Sequence, residues 1–205
     1  MKISEIFTSL QGEGAYVGYP MLFIRMSGCT QNCTWCDSSY HKDGKEVSIQ
    51  KIIKTIRDSK IRNICFTGGE PLLQTHQIFQ VVFDVYGEYN CYLETNGDLL
   101  GGYIEDISQV FKYISISPKV CSVAKQCKKI LKNLCTTTYD IKVVTDLQTV
   151  GVDMLKYATM LMPFTSGDAN KDLKIRQRVW QYCVEHNVRY SPRLHYETFG
   201  QKRGV

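Results

Sequence analysis

No run among the 205 residues approaches the roughly 20 consecutive apolar residues that a helix needs to cross a bilayer. The opening MKISEIFTSLQGEG lacks an apolar signal core and a small-residue cleavage site, so a cytoplasmic protein is expected. Internal repeats, low-complexity tracts and a domain linker are missing as well. That leaves one domain over residues 1–205, long enough to bury a sizeable core. Charge of one sign is not in large excess, since 25 Lys and Arg against 20 Asp and Glu give a formal net charge of +5. The lysines are scattered, and the densest stretch, KQCKKILK, reads as the wet face of a helix rather than a nucleic-acid surface. An anionic small substrate suits the mild positive charge equally well.

Cysteine, by contrast, is plentiful, with nine in the chain. The count is odd, the chain is not small, and nothing marks it for export, so a disulfide framework is not expected. Six of them, Cys65, Cys91, Cys121, Cys127, Cys135 and Cys183, show no paired ligand motif. Cys65 and Cys91 lie in apolar strand-like runs and read as small core residues. Cys127 and Cys135 would need further ligands to form a second metal pair.

Apolar periodicity alternates between strand and helix. MLFIRM (21–26), NICFTGG (63–69), CYLETNG (91–97), YISISPK (113–119), YDIKVVT (139–145), ATMLMP (158–163) and VRYSPRLH (188–195) read as strands. Ile49, Ile52, Ile53 and Ile56 recur at helical spacing behind a plausible cap, Ser48, and Ile78, Val81, Val82 and Val85 repeat the pattern. Further helices are expected near 103–110, 122–132, 147–156 and 169–186. Strands separated by single helices imply an α/β fold: a parallel sheet with outer helices, forming an incomplete, TIM-like barrel. Functional residues in such folds gather at the carboxyl edge of the strands. Cys29, the Thr67–Glu70 turn, Glu94–Gly97, Ser117–Lys119 and Lys142 all fall near that edge.

The remaining cysteines, Cys29, Cys33 and Cys36, stand at C-x3-C-x2-C spacing in SGCTQNCTWCDSSY. Three thiolates this close can hold one face of a cubic iron–sulfur cluster and leave the fourth iron open to a small molecule. A structural zinc site of Cys29, Cys33, Cys36 and His41 is the bland alternative. The glycines of GGE, Gly68 and Gly69, weigh against zinc, because they permit close backbone approach to a ligand.

The triplet with Trp35 before its last cysteine resembles the signature of radical S-adenosylmethionine enzymes. The segment EIFTSLQGEGAYVGYPMLFIRMSGC is more specific and resembles the 7-carboxy-7-deazaguanine synthase family. CTWCDSSY, FTGGEPLLQ, ETNG, SPK and the tail RLHYETFGQKRGV extend the likeness over most of the chain. The resemblance implies a radical core domain with a cluster loop at 27–38 and a tail, 196–205, folded over the active site. It implies a 4Fe-4S cluster, S-adenosylmethionine and Mg2+ as cofactors, a pterin substrate, a flavodoxin-like electron donor and a homodimer. No direct nucleic-acid or membrane partner is implied. The reaction would be ring contraction of 6-carboxy-5,6,7,8-tetrahydropterin to 7-carboxy-7-deazaguanine and ammonia. An activase of a glycyl-radical enzyme shares the cluster, but it gives no reason for the QGEG loop and Arg25.

Carried over by position, substrate contacts fall on Leu10, Gln11, Gly12, Arg25 and Thr67. Glu13 would accept from the ring nitrogens or else be a solvated loop acid. Arg25 would grip the substrate carboxylate or form a structural ion pair. His195, read at the end of the last strand, would reach the substrate or else pack, and Val205 would contribute its terminal carboxylate. Cofactor contacts map to Trp35, Cys36, Asp37, Gly69, Ser117, Pro118 and Lys119, with strand-end cap and surface lysine as plain alternatives for Ser117 and Lys119. Glu70 would orient the methionine amino group or serve as a turn acid. Ser38 stands where the family usually has threonine on magnesium, and it supplies the same oxygen without the methyl restraint. The segment MPFTSGDAN (162–170) departs from the Gln-Pro pattern associated with that region, so no cofactor contact is carried over there.

Overall fold

Period-two alternation in six strands separates two faces of one sheet, and that separation organises the molecule. The computed structural model describes residues 1–34, 36, 42–132, 137–200 and 202–204. The strands are β1 (Lys2–Leu10), β2 (Pro20–Met26), β3 (Lys45–Glu46), β4 (Asn63–Gly68), β5 (Asn90–Thr95), β6 (Tyr113–Ile116), β7 (Thr138–Thr145), β8 (Met160–Pro163) and β9 (Arg189–Tyr190). They form one nine-stranded sheet in the order β3-β1-β2-β4-β5-β6-β7-β8-β9. From β2 to β9 every neighbouring pair is parallel, whereas β1 is antiparallel to both β2 and β3. The described strands run from one edge to the other without closing, as expected of an incomplete barrel.

The helices are α1 (Ile49–Asp58), α2 (Thr75–Asp84), α3 (Ile104–Val110), α4 (Cys121–Leu131), α5 (Ala169–Glu185) and α6 (Leu194–Phe199). Ser48 caps α1 as expected, its hydroxyl accepting from the Lys51 amide at 3.3 Å, and Ile52, Ile53 and Ile56 are buried. Among the described residues no helix is long and apolar enough to cross a membrane. The outer face of the sheet packs Leu22, Ile24, Met26, Ile64, Phe66 and Leu93 into one large core beneath the helices. Cys91 joins that core, but Cys65 points the other way.

On the inner face, Met21, Phe23, Cys65, Tyr92 and Tyr113 form a second apolar cluster. Phe7 stacks on Phe23 with ring centroids 5.1 Å apart. Tyr16, from the loop between β1 and β2, wedges between Tyr92 and Tyr113 at 4.8 and 5.1 Å. Such aromatic pairs add about 0.5–1.5 kcal/mol each beyond their buried area. The same loop crosses to the far edge of the sheet. There the Gly14 amide donates to Ser191 Oγ at 2.8 Å, and the Leu194 amide to the Gly12 carbonyl at 2.9 Å.

Three expectations need correction. The sheet is not wholly parallel, because β1 pairs antiparallel with β2. A register shift between Ile3 and Glu5 breaks the alternation by which β1 would have been recognised. The last strand is only Arg189–Tyr190, since Pro192 has no amide to continue the ladder. His195 therefore lies in the first turn of α6, not at a strand end. The helix expected near 147–156 is a 3-10 turn, Val152–Tyr157.

Phe66 is fully buried. Phe66→Ala should cost about 3–5 kcal/mol through lost burial and a residual cavity. The checking measurement is the urea midpoint, which should fall at unchanged slope. A midpoint equal to the parent's would contradict this account of the core.

Candidate functional site

β2 ends at Met26, and the cysteine loop begins immediately beyond it. Its first residues pack against the glycine turn after β4 with no space to spare. The Gly69 amide donates to the Met26 carbonyl at 3.3 Å and the Glu70 amide to the Gly28 carbonyl at 2.8 Å. A Cβ on Gly69 would stand 2.0 Å from the Gly28 carbonyl oxygen. Gly68, at φ +134°, would bring a Cβ within 2.3 Å of the Met26 carbonyl oxygen. The close approach expected of this glycine pair is thus made, in the first place, to the cysteine loop.

Glu70 is completely buried. Its carboxylate accepts from Thr95 Oγ1 (2.7 Å), the Asn96 amide (2.7 Å) and the Leu72 amide (3.0 Å). Burial pushes the carboxyl pKa up, and those same bonds pull against the rise. The placement gives Glu70 a structural task, tying the end of β4 to the end of β5. Beyond that tie, Asn96 Nδ2 donates to Thr30 Oγ1 at 2.8 Å and reaches Cys29 Sγ at 3.8 Å. Asp98 accepts from Thr30 Oγ1 and Gln31 Nε2, both at 2.6 Å. The segment ETNG, weak as a sequence signal, thereby fixes the start of the cysteine loop.

Cys29, Cys33 and Cys36 are free thiols, neither fully buried nor fully exposed. Burial raises the Cys33 pKa against the pull of the Lys119 ammonium, and Cys36, Cys29 and Asp98 add to the rise. Cys29 and Cys36 are thus both near enough to act on Cys33. Lys119 Nζ also donates to Ser117 Oγ at 3.1 Å, and the Ser117 amide continues the ladder to the Thr95 carbonyl. Pro118 between them is buried. Lys119 of this segment is thus near enough to Cys33 to act on it.

Among the described residues no three Cys, His, Asp or Glu side chains converge to hold a single metal ion. Thiolates on three different irons of one cubic cluster stand further apart than three on one ion. Three cysteine thiolates are the donor set that holds one face of a cubic iron–sulfur cluster, so the residues present fit that group. Trp35, Asp37, Ser38, His41, Cys135 and Val205, each named by the sequence reading, lie outside the described residues.

Further along the inner face the aromatic cluster gives way to a polar row. Glu94 Oε1 accepts from Gln11 Nε2 at 2.9 Å, and Oε2 from Thr67 Oγ1 at 2.6 Å. Gln11 Oε1 in turn accepts the Glu13 amide at 3.1 Å. Glu13 Oε2 meets Lys142 Nζ at 2.5 Å, while Oε1 faces Arg193 Nε at 3.4 Å and His195 Nε2 at 3.8 Å. Burial pushes the Glu13 pKa upward, but the Lys142, Arg193 and His195 charges outweigh it and hold the carboxyl well below its ordinary range. For Lys142, burial works downward, and Glu13 and Glu94 outweigh it to hold the ammonium above its ordinary value.

Arg25 sits beside Thr67 in strand register, and its Nε donates to Glu5 Oε1 at 2.7 Å. The guanidinium also lies 5.5 Å from the Phe7 ring centroid. Gly12 is pressed against α6, where a Cβ would be 2.5 Å from His195 Nδ1. Of the expected substrate residues, the fold thus gathers Gln11, Gly12, Glu13, Arg25, Thr67 and His195. Leu10 is placed differently. By strand alternation it lies opposite Glu5 and Phe7, and it lines an apolar groove of about 590 Å³ together with Gly12 and His195 as well as Pro20, Leu194 and Phe199.

From the sequence, Glu94, Asn96 and Lys142 are only carboxyl-edge residues with no role given, and Arg193 and Asp98 are not named. The available signal was a lone charge inside an apolar strand, as at Glu94 and Lys142, whose burial requires a partner.

Comparisons with known proteins agree with this geometry. A family profile described as the radical SAM superfamily matches residues 23–173. The chain is 37% identical over 126 residues to a 7-carboxy-7-deazaguanine synthase of Thermoplasma acidophilum, covering 61% of this chain and 60% of that one. A protein of the same name from Neisseria meningitidis is 35% identical over 147 residues, covering 71% and 63%. The matched stretches thus span less than two thirds of those two relatives. A third, from Pyrobaculum aerophilum, is 27% identical and covers 100% of this chain and 97% of its own. Among solved structures, that of QueE from Escherichia coli has the same fold, with a TM-score of 0.52, 19% identity and 95% and 94% coverage.

Two outcomes follow from the site's geometry. Gly69→Ala should displace the cysteine loop, and iron retained after reconstitution and desalting should fall severalfold below the parent's. Glu13 contributes stability above its ordinary pKa of about 4.3, because its folded pKa lies lower, and that contribution is lost as pH falls. In Glu13→Gln the urea midpoint should therefore drop less than the parent's between about pH 6 and pH 4. An equal drop would show that the Lys142 contact is not felt.

Proposed function

The chain belongs to the radical SAM superfamily, and on that footing we propose that it contracts the ring of 6-carboxy-5,6,7,8-tetrahydropterin to give 7-carboxy-7-deazaguanine and ammonia. The observation that carries this reading is the polar row of Gln11, Glu13, Thr67 and Glu94 on the inner sheet face, at the carboxyl edge that also bears the cysteine loop. A pterin presents N–H donors along its pyrimidine edge, and buried carboxylates with fixed partners are suitable acceptors for them. Arg25, one strand from Thr67, is suited to the substrate carboxylate; Glu5 holds its guanidinium in place through Nε.

Cys29, Cys33 and Cys36 would hold a 4Fe-4S cluster, which with bound S-adenosylmethionine supplies the 5′-deoxyadenosyl radical that removes a hydrogen atom from the substrate. The chain's own part is positioning and exclusion. Tyr16, Tyr92 and Tyr113 floor the inner face with packed rings. Gly12 and α6 cover it from the side. Ser117, Pro118 and Lys119 line the cofactor side, with Gly69 keeping the cysteine loop at its distance. Magnesium at Ser38, a flavodoxin-like donor, a homodimer and a cytoplasmic setting complete the proposal, on the strength of the sequence resemblance.

The test is anaerobic reconstitution followed by a turnover assay with 6-carboxytetrahydropterin. Product should require S-adenosylmethionine and rise with added Mg2+. Cys33→Ala should lose turnover by at least about three orders of magnitude, in keeping with the loss of a cofactor that carries the chemistry. Product formed by cluster-free protein would overturn the reading.

A further inference from the structure

Lys142 is a residue of the polar row whose charge acts on carboxylates from two separate segments. It stands within β7, and its side chain is 5% exposed. It bonds Glu13 of the first loop at 2.5 Å and lies close enough to Glu94 of β5 for that carboxylate to act on it electrostatically. Glu94 in turn fixes Gln11 and Thr67. We propose that Lys142 is a positioning residue for the substrate: its buried ammonium holds Glu13 as an ionised acceptor in the row that Gln11, Glu94 and Thr67 continue, so that the site selects a ring edge made of N–H donors. The inference rests on the pterin reading and adds a residue and a selection rule to it.

The physical reason is desolvation. A buried carboxylate such as Glu13 stays ionised only while cations and donors face its oxygens. The other charges facing Glu13 are Arg193 at 3.4 Å and His195 at 3.8 Å, both on its Oε1 side. Oε2 has Lys142. On the Glu94 side, Gln11 and Thr67 are neutral donors, and Arg25 lies one strand beyond Thr67. Removing the ammonium lets the Glu13 carboxyl take up a proton. A protonated carboxyl points an O–H at the substrate's N–H edge, and donor meets donor.

The experiment compares the parent, Lys142→Met and Lys142→Arg as reconstituted full-length protein between pH 6 and pH 8. His195 and Arg193 are present in all three. In Lys142→Met the KM for 6-carboxytetrahydropterin should rise by about tenfold per pH unit below the raised carboxyl pKa, with kcat at saturation within a few-fold of the parent. Lys142→Arg should restore most of the pH-independent KM. Infrared difference spectra between the two pH values should show the C=O stretch of a protonated carboxyl in Lys142→Met but not in the parent. A KM equal to the parent's at both pH values, or raised equally at both, would overturn the proposal. Should Lys142→Met fail to fold, Lys142→Gln keeps an N–H toward Glu13 without the charge, and it must give the same pH-dependent rise. If the parent does not turn over the pterin, the functional reading fails, while the infrared bands still decide whether Lys142 keeps Glu13 ionised.

Discussion

Three strand ends meet where the Glu70 carboxylate is buried, and their meeting positions everything that follows along the rim. An acid at zero exposure is unfavourable unless its oxygens are satisfied, and here Thr95, Asn96 and Leu72 satisfy them. The backbone of the same turn lies against Gly28, so β2, β4 and β5 are locked in height relative to one another. The cysteine loop leaves from the first of these strands, Glu94 belongs to the third, and Thr67 belongs to the second. The spacing between cofactor loop and substrate row is thereby set by one desolvated carboxylate and two glycines. None of these three residues needs to touch substrate to set it.

Buried charge is concentrated on the inner face, and it is paired there. Lys142, Glu13 and Arg193 are each nearly inaccessible, and each has its counter-charge at hydrogen-bond or near-contact distance. Deeper in the sheet, Asp140 is likewise buried among Tyr113, Thr159 and Arg189. Replacing such pairs with apolar residues of similar volume is often neutral or stabilising in other folds. The outer face, covered by helices, carries the apolar burial that stabilises the fold.

Much of this arrangement was legible in the residues. Helical spacing and Ser48 marked α1, apolar runs marked the parallel strands, and the carboxyl-edge rule brought Cys29, Thr67, Glu94 and Ser117 to one rim. The edges of the sheet were not legible. β1 is half exposed and interrupted by a register shift, so its alternation is blurred. VRYSPRLH reads as apolar and extended, yet Pro192 divides it into two residues of strand and the approach to a helix. The partners of Lys142 were beyond reach of local pattern, since Glu13 lies 129 positions away and only strand order brings them together. The likeness to a known family named Gln11 and Arg25, but the hydrogen bonds that hold them needed coordinates.

The lacing of the first loop to the last segment has a consequence for biosynthesis. Gly12 and Gly14 find their partners at Leu194 and Ser191, so a nascent chain halted before those residues can pair its strands but cannot shut its pocket. Contacts of such long sequence separation form late, after the loop-closure entropy has been met. The sheet can therefore pair before the pocket closes, which waits for the segment that carries Ser191 and Leu194. Until then, the inner aromatic floor is open to whatever chaperone or hydrophobic surface is nearby.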